Sequence, residues 1–150
     1  MDAGNRYIKP SLVTRAFNQL VVALTRLGVS VLGSRILRVR GRISGKWRTT
    51  PVNVLSYDGA RYLVAPRGST QWVRNLRGAG GEGELQLGRR VERFQATELA
   101  DEDKPPVLRA YLKRWRIEVA VFFRGVGATA PEAELRRIAP GYPVFRLDSR

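Results

Sequence analysis

The stretch RGRISGKWRTTP, residues 40–51, carries side chains that could bind a phosphate or a carboxylate. Its charged residues are Arg40, Arg42, Lys46 and Arg48, and its hydroxyl-bearing residues are Ser44, Thr49 and Thr50. Gly41 and Gly45 have no Cβ, so the backbone amides beside them can approach a ligand closely. Because all these side chains donate hydrogen bonds to oxyanions, the stretch predicts an anion site. A basic turn that faces solvent is the alternative.

A second anion-binding element is predicted further along the chain. In VAPRGSTQW, residues 64–72, Arg67 and Gly68 lie between a predicted strand and the start of a predicted helix. Free amides and the positive end of the helix dipole favour an anion at such a position. Trp72, on the first turn of that helix, could bound a flat ring or could pack in the core. Two such loops around one hairpin suggest one anionic ligand between them.

The composition supports an anionic partner and excludes several kinds of catalysis. The 150 residues include 27 Lys and Arg against 13 Asp and Glu, a net charge of +14, and no acid lies between Asp2 and Asp58. Such a concentration of positive charge attracts anions. Without Cys or His, there are no disulfides, no thiolate or imidazole metal ligands, and no Ser-His-Asp or Cys-His catalysis, and we predict no metal site. An enzyme of this composition needs a cofactor to supply its reactive atom.

Two glycine-rich motifs resemble nucleotide-binding loops but lack the required context. GAGGEG, residues 78–83, matches the dinucleotide fingerprint, yet it follows a predicted helix and precedes a strand, and the fingerprint requires the reverse. It is therefore predicted to be a turn. GRISGK, residues 41–46, is too short for a P-loop, and Trp47 follows where Ser or Thr should bind magnesium.

The elements that would position these loops are a helix, three strands, a helix, two strands, further helices and a last strand. Alternation in RILRVRGR, and β-rich runs on either side of Asp58-Gly59, predict the first strands and a type I′ hairpin. STQWVRNLRGAG predicts a short helix, and residues 101–125, which open with three acids and Pro105-Pro106, predict a longer one. Short connections between neighbouring strands favour an α+β fold on a mostly antiparallel small barrel.

Residues 11–32, SLVTRAFNQLVVALTRLGVSVL, predict an amphipathic N-terminal helix, because their apolar side chains recur at helical spacing. Arg15 and Arg26 make the segment too polar for a membrane span, and no signal peptide is visible. We expect this helix to pack on the domain and to cover part of the barrel or its substrate mouth. An interfacial membrane helix is the alternative.

Together, GRISGKWRTTPV and LVAPRGSTQWVRNL resemble the deazaflavin (F420)-dependent nitroreductase and quinone reductase family over residues 36–147. The resemblance implies a split β-barrel and, as hydride donor, reduced coenzyme F420, whose phosphate and oligoglutamate tail are anionic. The implied activity is hydride transfer to a planar electrophile such as a quinone or a nitro compound. The single domain, residues 1–150, would consist of an N-terminal helical extension, 1–35, and a deazaflavin-binding core, 36–147.

The resemblance also implies which residues hold the coenzyme. The family pattern G-R-x-S/T-G-x-x-R-x-x-P falls on residues 41–51, and the pattern W-x-x-N-L starts at Trp72. The implied coenzyme-binding residues are Arg42, Ser44, Gly45, Lys46, Arg48, Pro51, Ala65, Pro66, Arg67, Gly68, Trp72 and Asn75. Of these, Arg42, Ser44 and Arg48 would hold the phosphate or the tail, and residues 65–68 would line the ring and the tail.

Candidate catalytic residues lie on the predicted helix that begins at Pro105. By the same resemblance, Trp115 falls where a nitroreductase member of the family has a tyrosine proposed to assist proton transfer, and Tyr111 lies one turn earlier. Residues one turn apart share a helix face, so both could reach one substrate. We expect Trp115 to pack on the acceptor ring and Tyr111 or solvent to supply the proton. Burial of both side chains is the alternative.

Other cofactors and partners stay open on the sequence. FMN on a similar barrel is a close variant, although the long basic tract favours the polyanionic tail of F420. A basic small barrel that binds single-stranded nucleic acid is a different class, but Trp47, Trp72 and Trp115 do not fall on one predicted strand face. A lipid or membrane-surface carrier is a third. We expect a cytoplasmic oxidoreductase with no specific nucleic-acid partner. Peripheral contact with the inner membrane face through residues 11–32 is an additional hypothesis.

Overall fold

The structure, a computed structural model, describes residues 6–8, 14–20, 34–115, 122–123 and 125–150. The strands are β1 (Ser34–Arg40), β2 (Trp47–Tyr57), β3 (Ala60–Val64), β4 (Glu82–Leu87), β5 (Arg90–Glu98) and β6 (Val144–Ser149). The helices are α1 (residues 14–20), α2 (Gln71–Gly78), α3 (Pro105–Arg114) and α4 (Glu132–Ile138), with short 3-10 helices at Asp101–Asp103 and Ala139–Gly141.

The six strands form a closed antiparallel barrel in the order β1-β2-β3-β6-β5-β4, with β4 pairing back onto β1. The predicted order of helices and strands and the predicted small antiparallel barrel are therefore confirmed. Consecutive strands pair as hairpins at β1-β2, β2-β3 and β4-β5. The last strand, β6, reaches β3 and β5 only after the α3–α4 region, so it closes the barrel from the far end of the sequence.

The turns confirm two predictions from local sequence. Asp58 and Gly59 have φ of 48° and 77°, the backbone that a type I′ turn requires, and they join β2 directly to β3. Gly80 and Gly81 also have positive φ, between the end of α2 and the start of β4. The GAGGEG motif is thus a helix-to-strand turn and has no dinucleotide-binding context.

Strand β2 changes partners along its length, and this change opens the site. Residues 47–53 of β2 pair with β1, whereas residues 54–57 pair with β3. Strand β3 ends at Val64, and the chain then leaves the sheet toward α2. Among the described residues, the β3-facing edge of the first half of β2 therefore has no strand partner.

Two apolar clusters support the barrel. One fills the barrel and the inner face of α2, with Leu37, Leu63, Leu76, Phe94 and Phe145 among its members. The other packs α3 and α4 against the outside of the sheet, with Leu108, Tyr111, Leu112, Trp115 and Leu135 among its members. Burying these side chains provides the main stabilisation, at roughly 25 cal/mol for each Å² of apolar area removed from water.

The two predicted long helices are only partly covered by the described residues. Helix α3 starts at Pro105, as predicted, with proline at a helix N-terminus where its missing N–H costs nothing. Residues 14–20 are helical, in agreement with the predicted N-terminal helix. The predicted continuous helix to Gly125 is wrong, because α3 ends at Arg114 and Trp115 has a non-helical φ of −125° and ψ of 39°. Residues 116–121 and 124, and the rest of 11–32, lie outside the described residues. Within the part of the chain that the structure describes, no helix is long and apolar enough to cross a membrane.

Candidate functional site

A cavity of about 840 Å³ lies between the first half of β2 and the segment that leads from β3 into α2. Residues 48–53 of β2 line one wall. At the usual strand rise of about 3.3 Å per residue, this wall is roughly 17 Å long. The opposite wall comes from residues 64–67 and the first half of α2. The site is thus a long cleft where the barrel splits.

One end of the cavity is closed by the basic loop of residues 41–46, called here the 41–46 loop. The N–H of Gly45 donates to the carbonyl of Gly41 at 2.9 Å, and the N–H of Gly41 donates to the carbonyl of Lys46 at 2.8 Å. Ser44 Oγ accepts from the N–H of Lys46 at 3.2 Å. The loop is therefore closed on itself, and the Ser44 hydroxyl hydrogen can still be donated to a ligand.

Asn75 joins the 41–46 loop to α2. Its side-chain oxygen accepts from the Arg42 backbone N–H at 3.1 Å and from the Arg42 guanidinium at 2.8 Å. Gln71, one turn earlier, accepts from the same guanidinium at 3.0 Å. Asn75 is 7 % exposed, so it acts mainly as an anchor that aims Arg42 along the cavity wall. The asparagine of the W-x-x-N pattern is therefore part of α2 and also fixes the 41–46 loop through its side chain.

The 65–68 loop, residues 65–68, forms the other side of the cleft. Ala65, Pro66 and Arg67 line the cavity, whereas Gly68 does not. Gly68 has φ of 86°, and a Cβ built there would lie 2.0 Å from the Arg6 carbonyl oxygen. This glycine is required by a close backbone approach, and its place beside the ring and tail of a coenzyme stays a prediction.

Arg67 is the cation of the 65–68 loop. Its guanidinium carbon lies 4.8 Å from the centre of the Phe122 ring, within cation–π range. Burial lowers the pKa of Arg67 from its ordinary value, and interaction with Tyr7 partly opposes this effect. Arginine stays protonated in proteins, so the side chain can bind an anion in the cleft.

Trp72 packs on the barrel core and also lines the cavity, so its position is compatible with both predicted roles. It lines the cavity, and its ring lies 5.9 Å from the Phe145 ring of the barrel core. One part of the indole is thus fixed by core packing while another part is exposed to the cleft. A ring held in this way can bound a flat ligand at little entropic cost.

The two candidate catalytic residues have different positions. Tyr111 lines the cavity, although it is only 2 % exposed. Trp115 is 1 % exposed, is not among the described residues that line the cavity, and packs at 5.0 Å from the Tyr111 ring. The shared face expected from their spacing exists, but it points into the α3 cluster. Contact between Trp115 and an acceptor ring therefore has no support from this geometry.

The cavity brings together most of the predicted residues. Those that line it are Arg42, Ser44, Arg48, Pro51, Ala65, Pro66, Arg67, Trp72, Asn75 and Tyr111. Those that are not among its described lining residues are Gly45, Lys46, Gly68 and Trp115. Gly45 shapes the 41–46 loop with φ of 71°, and the exposed Lys46 adds charge beside it.

Sequence reasoning missed several polar residues of the cavity. These are Tyr7, Asn18, Ser34, Asn53, Thr70 and Gln71. Ser34 and Asn53 are register partners of β1 and β2, so hairpin pairing counted back from the 41–46 loop could have found them. Tyr7 carries no comparable signal, because it reaches the cavity only through a long-range contact with Gly68.

The donors in the cavity fit a long anionic coenzyme that carries a flat ring. Arg42, Arg48 and Arg67 supply positive charge, and hydroxyl groups follow β2 at Thr49 and Thr50. The Thr70 hydroxyl is buried and has no hydrogen-bond partner among the described residues, so it is available to a ligand that displaces local packing. The class of protein that this site defines is a barrel enzyme with an anionic ring coenzyme.

Comparison with known families agrees with this class. Residues 13–127 match the family described as F420H(2)-dependent quinone reductase. The match covers more than half of the chain, and the chain belongs to this family. It is an F420-dependent oxidoreductase, as the paired motifs indicated. A search of curated proteins finds no match.

Solved structures with the same fold have little sequence in common with this chain. One is described as an F420-H2 dependent reductase (TM-score 0.54, 19% identity, covering 77% of this chain and 94% of that chain). Another is described as a domain-swapped dimer (TM-score 0.56, 18% identity, 92% and 100%). A third, from Agrobacterium tumefaciens, is described as of unknown function (TM-score 0.54, 17% identity, 95% and 59%). These likenesses support the split-barrel fold.

Proposed function

We propose that this protein reduces a quinone with coenzyme F420 bound along the cleft, the anionic part of the coenzyme lying at the 41–46 loop. The observation that carries the proposal is the polarity of the cavity. Its 41–46 end has exposed Arg42, Ser44 and Arg48, while its middle is lined by Val52, Val64 and other apolar groups. An amphipathic ligand with a polyanionic end matches this gradient.

The phosphate or tail would be held at the basic end. Arg42 is fixed by Asn75 and Gln71, so its guanidinium loses little freedom when it binds an anion. Arg48 follows the loop on β2, and Ser44 offers its hydroxyl beside it. Gly45 and Lys46 support this end indirectly, through loop geometry and local charge.

The ring of the coenzyme would lie between β2 and the 65–68 loop. Pro51, Ala65 and Pro66 offer flat or small apolar surfaces there, and Trp72 bounds the space from α2. When bound, the reduced coenzyme supplies a hydride. The chain then needs to hold the acceptor against the ring and exclude water, and the apolar part of the walls serves both needs.

Proton delivery to the reduced acceptor is assigned to Tyr111 or solvent. Tyr111 is the cavity-lining tyrosine of α3, and its ring is held between Trp115 at 5.0 Å and Phe123 at 6.1 Å. We assign Trp115 to fixing this ring, in place of contact with the acceptor. Quinones fit the family and the apolar middle of the cavity. Nitro compounds are the second acceptor class.

Titration of coenzyme F420, followed by steady-state reduction of menadione, tests the function. We expect saturable binding that weakens with salt, and two-electron reduction of the quinone. FMN and single-stranded DNA serve as rival ligands in the same titration. Tighter binding of FMN, or tighter binding of DNA with a steep salt dependence, would overturn the proposal.

Tyr111→Phe tests the proton donor separately, because it keeps the ring and removes the hydroxyl. Positioned acid catalysis contributes about 100-fold or more, so kcat should fall by that factor while coenzyme affinity stays unchanged. Tyr62→Phe is the matched control, since Tyr62 lies on β3, packs against the same apolar cluster as Tyr111, and is not among the described residues that line the cavity. Full turnover in Tyr111→Phe assigns the proton to solvent.

Contact with a membrane surface is a separate proposal for residues 11–32. Among the residues of this segment that the structure describes, Phe17 is 58 % exposed and Leu20 is 56 % exposed. Exposed apolar groups on a basic helix favour the headgroup region of an anionic bilayer. Co-sedimentation with anionic vesicles should be lost in Phe17→Ser/Leu20→Ser. Vesicle binding that persists in this variant would show that residues 11–32 are not the membrane contact.

The division of the chain into an N-terminal extension and a core stays a prediction, and so does a cytoplasmic location.

A further inference from the structure

Residues 6–8, called here the strap, cross the 65–68 loop. Tyr7 and Gly68 form an antiparallel β-bridge. The approach is so close that only glycine fits opposite the Arg6 carbonyl, since a Cβ on residue 68 would meet that oxygen at 2.0 Å. The glycine of the family-like APRG sequence is therefore adapted to the strap.

Arg6 anchors the strap through both its backbone and its side chain. Its carbonyl accepts from the N–H of Ser69 at 2.8 Å, and its guanidinium donates to the carbonyl of Pro66. The guanidinium also lies 4.3 Å from the centre of the Tyr142 ring. Arg6 is only 7 % exposed. A charged side chain buried to this extent is positioned by its surroundings and in turn fixes the loop it contacts.

Tyr7 reaches the ligand cavity from the strap. Its side chain lines the cavity, as does that of Arg67. The N–H of Ile8 donates to the Arg67 carbonyl at 3.1 Å, so the backbones of the strap and of Arg67 are joined directly. The electrostatic interaction between Tyr7 and Arg67 agrees with two side chains that face the same space.

We propose that the strap is part of the ligand site, with Tyr7 contacting the ligand and Arg6 acting as a positioning residue for Arg67. The inference rests on the proposed function, since the ligand is the coenzyme or its acceptor. A phenol hydroxyl and a guanidinium on one wall suit an oxygen that carries negative charge. Such an oxygen belongs either to the phosphate or carboxylates of the coenzyme, or to the acceptor carbonyl as the hydride arrives.

Tyr7→Phe tests the contact and distinguishes the two sources. If the oxygen belongs to the coenzyme, affinity for coenzyme F420 should fall about tenfold, the effect of one hydrogen bond to a charged partner. If it belongs to the acceptor, coenzyme affinity should stay unchanged while kcat/KM for menadione falls about tenfold. Tyr62→Phe is again the control and should change neither. Wild-type values for both quantities in Tyr7→Phe would overturn the role of Tyr7.

A double-mutant cycle tests the positioning role of Arg6. Arg6→Met should lower about tenfold, in the wild-type background, the same quantity that Tyr7→Phe lowers, either coenzyme affinity or kcat/KM for menadione. In an Arg67→Met background the loss should be less than about twofold, because the residue acts through Arg67. Equal losses in the two backgrounds would refute this role. Arg6→Lys should recover part of the loss, and it replaces Arg6→Met if that variant does not fold.

Arg109→Met is the matched control for loss of an arginine that binds backbone carbonyls. Arg109 donates to the carbonyls of Ala128 and Ala130, at 2.6 and 2.8 Å, and does not line the cavity among the described residues. It should lower the melting temperature without changing coenzyme affinity or kcat/KM for menadione. If it lowers the same quantity as much as Arg6→Met does, the strap has no special role. Absence of coenzyme binding in the wild type would instead refute the proposed function.

Discussion

The 41–46 loop is held by side chains of α2, whereas the 65–68 loop is held by the backbone of residues 6–8. Asn75 takes two hydrogen bonds from Arg42 at 3.1 and 2.8 Å. The 65–68 loop is held in place by the β-bridge between Tyr7 and Gly68 and by the neighbouring backbone hydrogen bonds. The two anchors differ in how much sequence separates their partners and in how exposed the loops are.

This difference in anchoring and exposure predicts how strongly each loop responds to substitution. The 41–46 loop is exposed along nearly its whole length, so a change there meets few neighbours. Gly68 and Ser69 are buried, so the second loop has little room to relax. We therefore expect the largest effects at residues 65–69 and the smallest at the tip of the 41–46 loop, although both loops flank one ligand.

Gly68→Ala should have the largest effect. It combines a φ of 86° with a Cβ that would lie 2.0 Å from the Arg6 carbonyl oxygen. Backbone strain and overpacking each cost about 1–3 kcal/mol, so we expect a loss of about 3 kcal/mol in stability or in docking of the strap. Thermal melting and coenzyme titration measure the two outcomes. Wild-type values for both the melting temperature and the coenzyme affinity would contradict the tight contact between the strap and the 65–68 loop.

Arg48→Ala should have the next largest effect and tests the charge of the 41–46 end. A charge-assisted hydrogen bond contributes about 1.5–3 kcal/mol, and coenzyme binding should weaken by that amount. The salt dependence of binding should become shallower, because one cation no longer meets the anion. Arg93→Ala is the matched control, since it removes the same charge from an exposed position on β5. Equal affinity of the two variants would contradict the assignment of the phosphate or tail to Arg48.

Features that depend on neighbouring residues in the sequence could be predicted, and the 41–46 loop is one of them. Residues 41–51 form a loop and the start of a strand, so their motif, spacing and turn are all local and could be recognised from the sequence, while the anion site that they indicate stays a prediction. The hairpin at Asp58-Gly59 and the order of strands follow from local periodicity in the same way. The fold was predictable to the level of a small antiparallel barrel for this reason.

The strap and the α3 face could not be predicted, because they depend on contacts between distant segments. The side chain of Arg6 meets Pro66 across 60 positions, and no periodicity marks such a pair. The spacing of Tyr111 and Trp115 correctly placed their rings side by side, 5.0 Å apart. It carried no information on which ring reaches the cavity, since that depends on how α3 packs on the sheet.

Asn75→Ala should have an intermediate effect that tests the side-chain anchor. Its loss leaves the backbone N–H and the guanidinium of Arg42 without their acceptor, and we expect coenzyme binding to weaken by about 1–2 kcal/mol. Gln71→Ala removes a single exposed contact to the same guanidinium and should cost less than about 1 kcal/mol. A larger loss in Gln71→Ala than in Asn75→Ala would show that the anchor has been assigned to the wrong residue.

Gly45→Ala should have the smallest effect, and it completes the comparison with Gly68. Both glycines have positive φ, but a Cβ on Gly45 would have nothing within 4 Å. The substitution therefore isolates backbone strain, which costs about 1–2 kcal/mol for a left-handed residue other than glycine. Because the 41–46 loop is exposed, part of this strain can relax, and coenzyme affinity should fall by less than about fivefold.

Gly59→Ala is the matched control for Gly45→Ala, because Gly59 has φ of 77°, has nothing within 4 Å of a built Cβ, and lies in the hairpin turn away from the cavity. Both variants should lose similar thermal stability, and only Gly45→Ala should bind the coenzyme less tightly. Gly45→Asn should restore much of the affinity, since asparagine tolerates the left-handed region. A loss in Gly45→Ala as large as that in Gly68→Ala would mean that the 41–46 loop is as constrained as the 65–68 loop, and that its exposure does not give it room to relax.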